Sequence, residues 1–193
     1  MGVETWDERY SRGENAFLEP VPLLLEAAAM IPPGHALDLA CGLGRHALEL
    51  ARLGWRVTAA DSSGVAIDRL RGTAAAESLP VDARLVDLEA GEFPIEEGAY
   101  DLIADFFYLQ RDLFPRIAAG LRPGGLFVAV IHLAEPPGAP PARNPAFRLQ
   151  PGELRSCFPD WELLVYTETA SNPSHRRPAV AMIARKPVAG HLQ

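Results

Sequence analysis

In the run Ala36-Leu-Asp-Leu-Ala-Cys-Gly-Leu-Gly-Arg45, an apolar stretch ends in two glycines just ahead of a helical sequence. Glycines at a strand-to-helix turn let a ligand approach the backbone, because no Cβ stands in the way. The first amides of the following helix suit an anionic group. Asp38 is the unusual member. A carboxylate inside such a loop repels a pyrophosphate and suits a ligand that carries an ammonium or sulfonium group beside its own carboxylate.

Three further acidic positions repeat along the chain. Asp61, followed by Ser62, closes a second apolar run at the place where an acidic residue meets a pair of ribose hydroxyls. Asp87-Leu88 closes a third, where an acceptor and the next backbone N–H suit an adenine edge. Asp105 closes a fourth. Asp38, Ala40, Gly42, Gly44, Asp61, Ser62, Asp87, Leu88 and Asp105 therefore form the expected cofactor set, and the ligand that matches them is S-adenosyl-L-methionine. The chemistry would be methyl transfer. The same glycines in Gly42-Leu-Gly-Arg-His-Ala47 also satisfy the dinucleotide pattern G-x-G-x-x-A. An NAD(P)-dependent oxidoreductase stays open, as does a catalytically silent S-adenosylmethionine-binding regulator.

These positions need a scaffold that brings strand ends to one edge. After a polar, aromatic segment (4–15) and a helix beginning at Pro22, the chain alternates strand and helix. The predicted strands are His35–Ala40, Arg56–Asp61, Ala83–Leu88, Tyr100–Phe107 and Leu126–Leu133. The predicted helices are Arg45–Leu53, Ser63–Ala76 and Gln110–Leu121. Near-continuous apolar strands fit a parallel sheet covered on both faces. A short helix near Pro151–Phe158 and two strands, Trp161–Thr169 and Ala179–Arg185, follow. The link between the last two is too short for a helical crossover, so they pair antiparallel. The expected fold is α/β: a Rossmann-like open seven-stranded sheet, mostly parallel, with a C-terminal antiparallel hairpin. A single domain is expected over 1–193, with a cofactor-covering segment (1–33), a binding core (34–134) and an acceptor-side loop and hairpin (135–193).

The chain resembles the TehB-like, tellurite-resistance branch of the class I S-adenosylmethionine-dependent methyltransferases. The resemblance is carried by Trp6-Asp7-Glu8-Arg9-Tyr10, the run 36–45, Leu121-Arg-Pro-Gly-Gly125, Asn144-Pro-Ala-Phe-Arg-Leu-Gln-Pro-Gly-Glu-Leu154, His175-Arg176 and Ala184-Arg-Lys-Pro187. It implies that the N-terminal segment folds over the cofactor, with Arg9 and Tyr10 near the methionine end. It also implies that His175 and Arg176 orient or activate an anionic acceptor; a cationic group there suits an oxyanion or carboxylate.

On the acceptor side, Asp105, His175 and Arg176 are the expected catalytic residues. Asp105-Phe-Phe-Tyr108 lacks the two prolines of the Asp-Pro-Pro-Tyr motif of amino-methyltransferases, which argues against a nucleobase amine. Tyr108, Arg111, His132 and Arg177 are weaker candidates. The proline-rich stretch Glu135–Pro145 is expected to form part of a lid. In-line displacement needs alignment and water exclusion, plus a base where the acceptor must lose a proton.

Composition bounds the partners. The 193 residues are 48% hydrophobic and 22% charged, with a net charge of −7. An acidic chain without a basic run is a poor ligand for nucleic acid. No apolar run approaches the ~20 residues of a membrane span, and the N-terminus lacks the basic start and apolar run of a signal peptide. Two cysteines, Cys41 and Cys157, lack metal spacing and suggest a reducing compartment. A small-molecule acceptor, no metal, no nucleic-acid or membrane partner and a cytoplasmic location are expected.

Overall fold

The computed structural model describes residues 5–15, 18–135, 144–169 and 177–188. Its seven strands form one sheet in the order β3-β2-β1-β4-β5-β7-β6. The chain divides into two compact units, Met1–Pro94 and Ile95–Gln193.

The first unit holds α1 (Trp6–Ser11), α2 (Pro22–Ala29), β1 (His35–Leu39), α3 (Arg45–Arg52), β2 (Arg56–Asp61), α4 (Gly64–Ala76) and β3 (Val81–Leu85). β1 pairs with β2 and β2 with β3, all parallel, with Asp38 beside Ala59 and Asp61 beside Leu85. The apolar runs of β1 and β2 are buried almost throughout, as parallel strands covered on both faces must be. Pro22 occupies the first turn of α2, where its missing N–H is not needed. Ser63 caps α4 by accepting from the Ala66 amide.

The second unit holds β4 (Tyr100–Phe106), α5 (Leu113–Gly120), β5 (Leu121–His132), a 3-10 turn (Pro145–Phe147), α6 (Glu153–Ser156), β6 (Glu162–Thr169) and β7 (Ala179–Arg185). β4 and β5 are parallel; β7 is antiparallel to both β5 and β6. The closing hairpin predicted from its short link is therefore present.

Four differences from the sequence reading have a visible cause; the other element ends shift by two residues at most. The segment 4–15 contains a helix, α1, closed by a capping box in which Thr5 and Glu8 satisfy each other's amides. β3 ends at Leu85, two residues before Asp87, because the Asp87 side chain turns the chain by accepting from the Glu89 and Ala90 amides. α5 starts at Leu113 rather than Gln110, since residues 108–112 are tied in a local side-chain chain: the Tyr108 hydroxyl donates to Gln110, whose amide donates to Asp112. β5 begins at Leu121 rather than Leu126; its first residues reach back past Pro123 to pair with Tyr100, with a register shift before Leu102.

Candidate cofactor and acceptor sites

The glycine-rich turn is built from backbone strain. Ala40, Gly42 and Gly44 have φ of +50°, +54° and +80°, a region that L side chains rarely adopt. Ala40 holds this conformation although it is not glycine, in a turn fixed by two hydrogen bonds: the Cys41 amide to Ala60 O at 3.0 Å and the Gly44 amide to Cys41 O at 3.0 Å. A Cβ on Gly44 would run into the Leu70 side chain. Gly44 then starts α3 with no side-chain cap.

Asp38 lies beneath this turn at 1% exposure. The Ala47 backbone amide, inside the first turn of α3, offsets part of its burial, as does the charge of Arg45. Its Oδ2 is buried and has no hydrogen-bond partner. Burial raises its pKa to about 7, and the nearby Asp61 carboxylate pushes the same way. A buried carboxylate oxygen without a donor is unfavourable on its own, so this position favours a cation.

Asp61 fastens the turn. Its Oδ2 accepts from the Gly42 amide at 2.7 Å and its Oδ1 from the Ser63 amide at 2.9 Å. Burial raises its pKa, and those amides with that of Ser62 pull it back. Each carboxylate oxygen keeps a second lone pair for a hydroxyl donor. Ser62 is exposed beside it.

The N-terminal helix covers the turn. The Tyr10 hydroxyl stands 2.6 Å from where a Gly42 Cβ would be, and Tyr10 is buried, which raises its pKa. Asp7 of the same helix accepts from the Ser63 hydroxyl and from the Val65 amide at 3.3 Å, at the start of α4. Tyr10 thus lies against Gly42 and within the charge influence of Asp61. Arg9 sits over the Trp6 ring, 4.1 Å from its centroid, and pairs with Glu14. Asp87 is exposed and engaged in its own turn, whereas Leu88 beside it is buried. Asp7 escaped the sequence reading; the Thr5–Glu8 capping box was the signal that would have placed it on a helix.

In the second unit, Asp105 is at 1% exposure one residue before the end of β4, beside Ala129 of β5. Phe107, the next residue after the strand, has φ +65° and meets the His132 ring at a tilt of 39°, with centroids 5.4 Å apart. His175 and Arg176, and residues 136–143 of the expected lid, lie outside the described residues. Arg111 is a clamp: it donates to Ala146 O at 3.1 Å and Arg148 O at 2.9 Å while pairing with Glu153. The sequence reading holds Arg148 only as part of the family-like run 144–154 and gives it no role. It is an arginine at 8% exposure whose Nη1 is buried with no hydrogen-bond partner.

The sequence model of the family described as tellurite resistance protein TehB matches residues 17–179. The chain is 35% identical over 179 residues to Hemagglutinin 1 of Eikenella corrodens, covering 84% of this chain and 58% of that protein. It is 34% identical over 154 residues to the probable S-adenosyl-L-methionine-dependent methyltransferase TehB of Haemophilus influenzae, covering 75% of this chain and 52% of that protein. The chain thus spans little more than half the length of these curated relatives. The crystal structure of TehB from Haemophilus influenzae superposes with a TM-score of 0.76 at 26% identity, covering 94% of this chain and 67% of that one. The uncapped α3 behind a strained glycine turn, the seven-stranded sheet and these matches agree: the chain belongs to the TehB family and has the class I S-adenosylmethionine-dependent methyltransferase fold.

Proposed function

We propose that the chain is an S-adenosylmethionine-dependent methyltransferase acting on a small-molecule acceptor. The observation that carries this reading is Asp38 Oδ2, a buried carboxylate oxygen without a donor directly beneath the glycine turn. The ammonium of the methionine end supplies the missing donor and charge. In this reading the start of α3 takes the carboxylate of that ligand, Gly42 and Gly44 allow its close approach, Asp61 and Ser62 take the ribose hydroxyls, and Asp87-Leu88 takes the adenine edge. Tyr10 and Arg9 belong to the covering segment. When bound, S-adenosylmethionine supplies a methyl group activated by its sulfonium for in-line displacement. The chain's own part is to hold donor and acceptor aligned and to exclude water. Asp105, with His175 and Arg176, is the acceptor-side group in this reading.

Calorimetric titration with S-adenosylmethionine and with NAD(H) tests the donor. Micromolar binding of the former, abolished by Asp38→Ala, is expected; binding of NAD(H) alone, or undiminished affinity of the variant, overturns the reading. Release of S-adenosylhomocysteine in a screen of small acceptors separates an enzyme from a silent binding protein.

A further inference from the structure

Arg148 breaks a rule that protein interiors otherwise keep: a buried guanidinium is paired. It is at 8% exposure, and its Nη1 is buried without a hydrogen-bond partner. Among the described residues its guanidinium makes no ion pair, although arginine offers five N–H donors. The nearest charge effects come from Arg177, of the same sign, and Glu135, of the opposite sign; with burial as the main cause they leave the Arg148 pKa lowered.

The backbone explains how two arginines come together. Leu133, just past β5, is held on both sides. Its amide donates to Pro178 O at 2.9 Å, and it bridges to Leu149, with the Leu149 amide donating to His132 O at 3.0 Å. Arg148 and Arg177 therefore precede the two segments that flank one residue, roughly 10 Å apart across two strand spacings. Both sit at the carboxyl end of β5, the edge where open α/β sheets take their ligands. Arg111 holds the Arg148 carbonyl at 2.9 Å and the Ala146 carbonyl at 3.1 Å, so the turn that presents Arg148 is fixed.

We propose that Arg148, assisted by Arg177, forms an anion subsite that binds a carboxylate group of the methyl acceptor. A carboxylate offers the planar pair of oxygens that a guanidinium fork meets with two parallel hydrogen bonds. It also removes the mutual repulsion of Arg148 and Arg177. The subsite rests on the proposed methyltransferase reading only in calling its ligand an acceptor.

The test is a titration of the full chain, saturated with S-adenosylhomocysteine, with sodium benzoate at constant ionic strength. Arginine side-chain NMR signals report binding, and inorganic phosphate is a second arm. Saturable binding of benzoate is expected, weakened at least tenfold by Arg148→Met and about threefold by Arg177→Met, with S-adenosylhomocysteine affinity within twofold of the parent. Arg177 is exposed, so its variant keeps the test open should Arg148→Met fail to fold. Glu135→Gln supplies an independent arm and is expected to tighten benzoate binding about threefold. Absence of saturable binding, equal affinity in parent and Arg148→Met, or tighter binding of phosphate than of benzoate overturns the proposal. So does a Glu135→Gln variant that is destabilised with benzoate affinity unchanged, since Arg148 would then serve only to pair Glu135. If S-adenosylhomocysteine fails to bind while benzoate binds to the free chain, the methyltransferase reading falls and the anion subsite stands.

Discussion

The carboxylate of Asp61 holds the amide of Gly42 at 2.7 Å, joining the end of β2 to the turn after β1. Its other oxygen holds Ser63 at 2.9 Å. One side chain therefore sets both the shape of the glycine turn and the start of α4. Asp61→Ala leaves two buried amides without acceptors, each worth about 1–3 kcal/mol. A loss of about 2–6 kcal/mol in denaturant unfolding is expected, with faster hydrogen exchange at residues 42 and 63.

Gly42 carries two separate penalties when replaced. Its φ of +54° disfavours any side chain, at about 1–2 kcal/mol, and a Cβ meets the Tyr10 hydroxyl at 2.6 Å. Gly42→Ala is expected to lower the thermal midpoint more than Tyr10→Phe does. The double variant should be less destabilised than the sum of the two, because removing the hydroxyl leaves the ring atom at 3.3 Å as the nearest contact. Strict additivity in a double-mutant cycle would show that α1 does not pack on the turn.

Asp38 gives the ligand affinity a pH dependence. Its pKa in the folded, ligand-free chain is raised from 3.8 to about 7 by burial. Protonated Asp38 is thus favoured by folding, and the stability it contributes is present below pH 4 and lost as pH rises through 7. A cationic ligand group selects the ionised form. Affinity for S-adenosylhomocysteine should therefore rise with pH up to about 7 and then level, with proton release on binding below that point. Calorimetry in buffers of different ionisation enthalpy measures this, and Asp38→Asn should bind weakly with the Asp38 component of the profile gone.

Arg111 spans from the start of α5 to the turn at 145–148. An exposed ion pair of this kind adds only about 0–1 kcal/mol, so Arg111→Ala should barely move the unfolding midpoint. Its effect should be local: faster proteolysis and hydrogen exchange across 145–149.

Much of this was legible in residue order. The strand ends at Asp61 and Arg185 and the antiparallel hairpin follow from apolar runs and link length, and the glycine turn from its spacing. What escaped was set by single side chains acting across turns. Asp87 ends β3 early by capping its own loop. Tyr108, Gln110 and Asp112 delay α5. Pro123 sits inside β5 where proline is a poor predictor of strand. The burial of Arg148 depends on Leu133 gathering two distant segments, which no local pattern encodes. Arg148 stood inside the family-like run 144–154 without any spacing to mark it as special.

The six-residue helix α1 is too short to persist alone. Its described contacts to the rest of the unit include one buried ring and one carboxylate, Tyr10 on Gly42 and Asp7 on the start of α4. Because α1 belongs to no strand pairing, its displacement would bare the glycine turn at Gly42. If a ligand is held under that helix, its release is expected to quicken when the hold is weakened, so Tyr10→Phe should raise the ligand off-rate in a stopped-flow measurement.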